Sequence, residues 1–428
     1  ENNYTTKMLT HLFNLISPVG TLPKPTGPYD IASEELMWDP TRKLQVKVTY
    51  PCDLSQSKGY KQGIYMDKKY FKSISKVMKM PKFTIKHYMK VGVNSAVTTE
   101  EDLIPLPSDV DKFPVAIFSH GWSGMPEMYT MFAESLASSG YIVVAPYHTD
   151  GTCCAVITNN GEIPFDYLAP EFGVTMDKKP QDLNSEEKEK HGKYRAHQLK
   201  IRTEDIRICL EVIRLLDNPR RKAKFTPEGY YAFKRRVDMS RLVCFGHSFG
   251  GCTAVSACTL SDKHGKPFFT LGISLDGWME PIQYADDLSQ LETDQVYTTT
   301  NESIVYRLSK LKSFPVMAFI NSEVWQWDDN KKIMETIGKF LFRNKKLQYM
   351  WTMPNTGHHN YNDLGLLMPK LGVKLKLLQT DIDPTEHLTN LCLLLVQFIE
   401  VHLKPDGDTS SFKQYLLNQE IEAITSHA

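Results

Sequence analysis

The sequence lacks several features that would assign it to a particular class of protein. Charge of one sign is not in excess, because 50 Lys and Arg residues balance 50 Asp and Glu residues. Proteins whose main partner is nucleic acid usually carry a basic excess, so that class is disfavoured. No apolar run approaches the roughly 18 residues of a membrane span, and the longest candidate, Leu391 to Ile399, is half that length.

Motifs for metals and nucleotides are also missing. None of the eight cysteines forms a C-x-x-C pair, which disfavours a zinc ribbon or a thioredoxin-type site. There is no H-E-x-x-H, Walker loop or G-x-G-x-x-G, so we expect neither a metal nor a cofactor. Cys153 and Cys154 stay unassigned. Five cysteines lie in apolar stretches and are predicted to be buried free thiols: Cys209, Cys244, Cys252, Cys258 and Cys392.

The composition is that of a globular protein with a large core. Of the 428 residues, 41% are hydrophobic and 23% charged, which is ordinary for a soluble domain. No repeat, Gly/Ser tract or Pro-rich linker divides the chain, so a single domain over residues 1–428 is predicted. Three polar stretches, near 53–112, 157–198 and 284–312, are predicted to be surface insertions.

Short apolar runs alternate with helical patterns. An early or edge strand is expected at Leu44–Tyr50, and helices are expected around Ile206–Leu216 and from Pro384 to about Leu403. The alternation predicts an α/β protein with a mostly parallel central sheet flanked by helices. Six further runs predict buried strands: Val115–Ser119, Tyr141–Ala145, Leu242–Phe245, Leu271–Leu275, Val316–Ile320 and Leu347–Met353.

The stretch from Lys58 to Lys90 is strongly basic. It contains ten lysines and a single acid, Asp67, which gives a local charge of +9, and aromatic residues lie between the lysines. One interpretation is a surface that meets anionic lipid head groups. The other is a solvated helical insertion balanced by acidic segments elsewhere.

Residues 246–250 match G-x-S-x-G. An apolar run precedes the motif and small residues follow it, which predicts the strand, sharp turn and helix of a nucleophile elbow. Such a turn lifts the Ser248 hydroxyl above the sheet at the positive end of a helix. Ser248 is therefore the candidate nucleophile; the alternative is a glycine-rich turn with an idle serine.

A serine nucleophile needs a base, usually His, that a carboxylate orients. Asp276 directly follows the predicted strand Leu271–Leu275, at the sheet edge where such sites form. His358 and His359 follow the predicted strand Leu347–Met353 across a short turn, so either can lie on a loop above the sheet. His358 is favoured.

A tetrahedral intermediate needs preorganised donors for its negative oxygen. One donor is expected from the amide of Phe249, the residue after the nucleophile. The other should come from the loop that follows an earlier strand, where Trp122 N–H is the candidate. His120, in the same loop, is an alternative base, but a His before Gly in such a loop is more often structural.

These motifs resemble the platelet-activating factor acetylhydrolase family, serine-dependent phospholipases A2 of the α/β-hydrolase fold. The resemblance runs from about Thr26 to Leu403, and two fragments, Phe319–Glu323 and Asp381–Asp383, look closer to the secreted plasma branch. The matching blocks are Thr26-Gly27-Pro28, Tyr50-Pro51-Cys52, Ser119-His120-Gly121, Asp238-Met239-Ser240-Arg241, Gly246-His247-Ser248-Phe249-Gly250-Gly251, Leu275-Asp276-x-Trp278-Met279-x-Pro281 and His358-x-Asn360-Tyr361-x-Asp363.

The resemblance implies calcium-independent removal of short or oxidised sn-2 acyl chains from phospholipids such as platelet-activating factor. It implies Ser248 as nucleophile, Asp276 as acid, His358 as base, and Trp122 and Phe249 as oxyanion donors. Trp122 stands where the family usually has Leu, which puts chain-length preference in doubt. The alternatives are a broader carboxylesterase or lipase, and a non-catalytic lipid-binding relative.

A phospholipid substrate implies contact with a membrane or lipoprotein surface. The apolar stretch Leu364–Pro369 is either an interfacial docking patch or the start of a buried helix. The plasma-like fragments and a start without Met favour secretion. Two N-glycosylation sequons, at Asn3 and Asn301, are of a kind that is common by chance. The alternative is a cytoplasmic protein with peripheral membrane association.

Overall fold

One large sheet organises the part of the chain that the computed structural model describes. That part comprises residues 20–39, 44–100, 102–158, 161–163, 165, 183–218, 230–285, 304–324, 328–343, 348–374, 378, 382–403 and 423–425. The strands are β1 Asp30–Asp39, β2 Leu44–Cys52, β3 Tyr60–Ile64, β4 Gly92–Thr98, β5 Phe113–Ser119, β6 Ile142–Tyr147, β7 Val156–Thr158, β8 Gly161–Ile163, β9 Val237–His247, β10 Leu271–Leu275, β11 Val316–Ser322, β12 Gln348–Met353 and β13 Ala423–Thr425.

The sheet order is β13-β12-β11-β10-β9-β5-β6-β2-β1-β4-β3, and β7 and β8 form a separate hairpin. From β12 to β6 all neighbours are parallel, so the predicted α/β class with a mostly parallel sheet is confirmed. The helices are α1 Phe71–Val77, α2 Lys82–Tyr88, α3 Thr130–Ser138, α4 Ser185–Asp217, α5 Phe249–Ala257, α6 Glu280–Ala285, α7 Ile304–Lys310, α8 Asp328–Arg343, α9 Leu364–Leu367, α10 Pro369–Lys374 and α11 Pro384–Leu403.

Helices cover both faces of the sheet, which is why its central strands are apolar at successive positions. Val115 and Ile117 of β5 pack in one layer with α4 and α5. The intervening Ala116 and Phe118 pack in the other layer with α3 and α11. All eight cysteines are buried and free, as predicted for five of them. In the described part of the chain, every helix is too short or too polar to cross a membrane.

The stretch 53–112 differs from the predicted surface insertion, because it adds β3 and β4 to one end of the sheet. The fully buried Glu134 of α3 accepts hydrogen bonds from the amides of Asn94 (3.0 Å) and Ser95 (2.8 Å) and so ties β4 to the core. All ten lysines between 58 and 90 are exposed. Four of the interleaved aromatic residues instead face inward and are buried: Tyr65, Tyr70, Phe71 and Tyr88.

The stretch 157–198 also differs from a surface insertion, because its end forms the first half of α4. A capping box between Asn184 and Glu187 starts this helix 21 residues before the predicted apolar pattern at Ile206. The first half was missed because its residues are mostly charged or polar. Much of 157–198 and most of 284–312 lie outside the described residues.

Candidate active site

Ser248 lies in a sharp turn between β9 and α5. Its backbone has φ 59° and ψ −120°, a strained conformation that non-glycine residues rarely adopt. The turn requires close backbone approach, since a Cβ added at Gly250 would lie 1.9 Å from the Ser119 carbonyl oxygen. Ser248 N also donates to the Leu275 carbonyl of β10 at 3.0 Å. The predicted elbow is therefore present, with the serine at the N-terminus of α5.

Asp276 lies directly after β10 and is fully buried. Its φ of 45° turns the chain away from the sheet at this point. One carboxylate oxygen, Oδ1, accepts hydrogen bonds from Ser322 N at 2.7 Å and Ser322 Oγ at 2.8 Å, at the end of β11. The other oxygen, Oδ2, is 2.7 Å from His358 Nδ1.

His358 begins a short 3-10 turn, His358–Tyr361, beyond β12. Its Nε2 is 2.9 Å from Ser248 Oγ. Because a carboxylate accepts hydrogen bonds, the contact with Asp276 places the ring hydrogen on Nδ1 and leaves Nε2 as the acceptor facing the serine hydroxyl. The structure thus brings together the three residues singled out in the sequence.

His359, the other histidine left open by the sequence, faces elsewhere. Its Nδ1 is 3.3 Å from Asn362 Nδ2. Burial, and then the neighbouring His358, lower the pKa of His359 to about 4. The site geometry therefore selects His358.

The loop after β5 lies against the serine. A Cβ on Gly121 would be 3.1 Å from the Ser248 Cβ. The Gly121 carbonyl accepts hydrogen bonds from His120 Nδ1 at 2.8 Å and Gly124 N at 3.1 Å. In a trans peptide the C=O and N–H point in opposite directions, so these contacts turn the Trp122 N–H to the other side of the peptide.

Phe249, the other predicted donor, is the first residue of α5. An amide in the first turn has no acceptor within its own helix and points out of the helix end. The positive end of the helix dipole adds to the attraction for a negative oxygen beside Ser248.

Sequence reasoning missed Arg202, which is fully buried on α4. It pairs with the buried Asp150 (3.0 Å) and donates to the His120 carbonyl (2.7 Å), so it anchors the loop that carries Trp122. A signal was present in the sequence: Arg202 occupies the helical face that also carries Ile206 and Cys209. A buried pair of this kind is costly to break, because the remaining charge would stay unpaired.

The alternative of His120 as a base does not fit its surroundings. His120 is fully buried, and burial, then Arg202, hold its pKa well below the usual range. Both ring nitrogens face the main chain, Nδ1 the Gly121 carbonyl and Nε2 the His148 amide at 3.3 Å. His120 therefore supports the loop.

A second Ser-His-Asp array lies beneath the site. Ser119 Oγ is 2.8 Å from His148 Nε2, and His148 Nδ1 is 3.0 Å from Asp205 Oδ2. Burial raises the pKa of Asp205 to about 7 and lowers that of His148. All three side chains are buried, and the array joins β5, the residue after β6 and α4.

His247, Asp276 and His358 are the described side chains that group closely enough to hold a metal ion, with ligand atoms within 4.8 Å of one another. The atoms are already engaged: His358 Nδ1 with Asp276 at 2.7 Å, and His247 Nε2 with the His358 carbonyl at 2.9 Å. The donor set thus fits a hydrogen-bonded array.

The apolar stretch after the His block is buried. Leu366, Leu367 and Met368 are 1–3% exposed. This favours the start of a buried helix over an interfacial docking patch.

Comparisons with known proteins show the family and the fold of this chain. Residues 15–421 match the family of platelet-activating factor acetylhydrolase, isoform II. The platelet-activating factor acetylhydrolases of Canis lupus familiaris and Bos taurus are each 26% identical over 386 residues, which cover 89% of this chain and 77% of theirs. Among solved structures, a ferulic acid esterase from Streptomyces cinnamoneus superposes on this chain with a TM-score of 0.60 and 18% identity. The match covers 95% of this chain and 100% of the esterase chain. That likeness concerns the fold, and it confirms the predicted α/β-hydrolase architecture.

Proposed function

We propose that this chain, which belongs to the family of platelet-activating factor acetylhydrolase isoform II, releases short or oxidised acyl groups from the sn-2 position of phospholipids without calcium. Membership makes it a carboxylic ester hydrolase; the phospholipid and the chain length are the proposal. The observation that supports it most directly is the His358 ring, which lies 2.9 Å from Ser248 Oγ and 2.7 Å from Asp276 Oδ2.

The residues support acyl-enzyme chemistry. Ser248 Oγ attacks the ester carbonyl while His358 Nε2 takes its proton. The amides of Phe249 and Trp122 stabilise the oxyanion, and Asp276 holds the His358 ring in the required tautomer. The protonated ring then gives its proton to the departing sn-2 oxygen, which leaves as the lysophospholipid alcohol. A water molecule, activated by the same nitrogen, hydrolyses the acyl-serine, so no step uses a metal ion.

The proposal is tested by acetate release from a phosphatidylcholine with an sn-2 acetyl group. A matched substrate with a long sn-2 chain is assayed alongside, with EGTA in both reactions. We expect the acetyl substrate to be cleaved at least about 100-fold faster, measured as kcat/KM, since a restricted acyl pocket loses several kcal/mol on a chain it cannot hold.

Equal or faster cleavage of the long chain would contradict the proposal and indicate a broader phospholipase or lipase. Trp122 would then be the first residue to substitute. It lies in the loop against Ser248, and its ring packs 5.3 Å from that of Phe165 and 5.5 Å from the Arg195 guanidinium. Cleavage of soluble acetyl esters, with cleavage of neither phosphatidylcholine, would indicate a general carboxylesterase.

We further propose that the lysine-rich stretch 58–90 meets the lipid surface. All its lysines are exposed, and Phe83 on α2 is 76% exposed between Lys82 and Lys86. Tyr65, in the same stretch, donates to Asp363 at 3.1 Å, five residues after His358. This contact ties the stretch to the loop that carries the base.

The double variant Lys82→Glu, Lys86→Glu is expected to bind phosphatidylserine vesicles at least about tenfold more weakly, because each lysine near an anionic surface contributes about 1 kcal/mol. Co-sedimentation with the vesicles measures the binding. Lys331→Glu, Lys332→Glu on α8 is the matched control, since these lysines are also exposed. An equal loss of vesicle binding in the two double variants would contradict the proposal that the stretch 58–90 is the lipid-binding surface.

A further inference from the structure

A chain of hydrogen bonds joins the loop of Trp122 to the loop of His358. The Gly121 amide donates to Tyr129 Oη at 3.1 Å. Tyr129 Oη lies 2.9 Å from His247 Nδ1, and His247 Nε2 lies 2.9 Å from the His358 carbonyl oxygen. Tyr129 and His247 are both buried. We call this chain the Tyr129–His247 bridge.

The protons of the bridge follow from its partners. A carbonyl oxygen accepts hydrogen bonds, so His247 Nε2 carries the hydrogen. Burial, and then the neighbouring His358, hold the pKa of His247 well below its usual range, so the ring is neutral and Nδ1 is an acceptor. Burial raises the pKa of Tyr129, whose hydroxyl therefore keeps its proton and donates to Nδ1. All three hydrogen bonds of the bridge therefore run the same way. The Gly121 amide donates to Tyr129, Tyr129 donates to His247, and His247 donates to the His358 carbonyl.

The bridge passes beside the nucleophile, because His247 is the residue before Ser248. The His247 ring also packs on the His358 ring, with centroids 4.5 Å apart, and lies parallel to Tyr361 at 6.0 Å. A neutral His247 adds no charge repulsion when His358 takes a proton. The three parts of the site come from distant sequence positions, so their separation depends on contacts of this kind.

We infer that Tyr129 and His247 are positioning residues, which hold the oxyanion loop, the elbow and the His358 loop at their catalytic separations. The inference rests on the proposed function of Ser248, His358 and Trp122. Neither residue touches the reacting atoms in this assignment, so their loss should lower kcat while substrate binding is retained.

Three single substitutions separate the contacts. Tyr129→Phe removes the hydroxyl from the middle of the bridge. His247→Gln places an amide nitrogen near the former Nε2 and keeps a donor for the His358 carbonyl. His247→Asn keeps an acceptor near the former Nδ1 but loses that donor. Tyr147→Phe is the matched control, because it removes another buried hydroxyl, which bonds to Glu127 and to no group of the bridge.

The assay uses p-nitrophenyl acetate, so that it does not depend on the phospholipid proposal. We expect kcat to fall about 10- to 100-fold in Tyr129→Phe and His247→Asn, as for a misplaced catalytic group. KM should stay within about twofold, and His247→Gln should recover part of kcat. Tyr147→Phe should retain wild-type kcat even where its unfolding midpoint falls.

The rate of Ser248 labelling by a fluorophosphonate is the second readout, and it should follow kcat. Wild-type kcat in both Tyr129→Phe and His247→Asn would overturn the inference, as would an equal fall of kcat in Tyr147→Phe. The phospholipid proposal fails separately, when the wild type cleaves p-nitrophenyl acetate but neither phosphatidylcholine.

Discussion

Ser248→Ala is expected to lower kcat by about a million-fold, the loss seen when a serine hydrolase is left without its nucleophile. The methyl group cannot form the acyl-enzyme, and His358 then has no hydroxyl to deprotonate. The fold should persist, because Ala has the same Cβ in the strained turn with φ 59°. The lost contact with His358 Nε2 contributes about 1 kcal/mol.

Acetate release from the sn-2 acetyl substrate measures this loss, and the thermal unfolding midpoint checks the fold. Ser240→Ala is the control: it removes a serine from the same strand, β9, where the side chain is exposed and bonds to Asp238 at the surface. This variant should retain wild-type turnover. Retention of more than about a hundredth of kcat in Ser248→Ala would require another nucleophile.

The predictable part of the fold is its sheet. The strand Leu271–Leu275 occurs with the predicted bounds, and α11 with the bounds Pro384 and Leu403. These elements are predictable because burial on both faces makes a strand apolar throughout, while Pro marks a helix start. Asp276 is predictable for the same reason, as a charged residue directly after such a strand.

The less predictable part is the polar interior. Arg202, Asp205 and Glu134 look like surface residues in the sequence, and their partners are 39 to 83 residues away. Arg202 has a local signal, its place on the helical face of Ile206 and Cys209, but the burial of Asp205 and Glu134 depends on tertiary contacts. The sequence assigns His247 no role of its own within the G-x-S-x-G motif, because its partners, Tyr129 and the His358 carbonyl, lie 118 and 111 residues away.

Asp276→Asn is expected to lower kcat by about 10⁴-fold while leaving Ser248 in place, the loss known for a triad whose His is held in the wrong tautomer. The physical reason lies in Ser322. Its amide and hydroxyl both donate to Oδ1, so the asparagine carbonyl oxygen must occupy that position. The asparagine NH₂ group then faces His358 Nδ1.

A donor facing Nδ1 makes that nitrogen an acceptor and moves the ring hydrogen to Nε2. Nε2 then donates towards Ser248 Oγ and cannot take its proton. Nitrogen-15 NMR of the imidazole would report the change of tautomer, and acetate release the loss of turnover. Ser322→Ala gives the graded comparison: the Ser322 amide still holds Oδ1, so we expect a loss of about tenfold and an unchanged tautomer. A comparable loss in both variants, with Nδ1 protonated in both, would mean that Asp276 acts by packing and not by holding the tautomer.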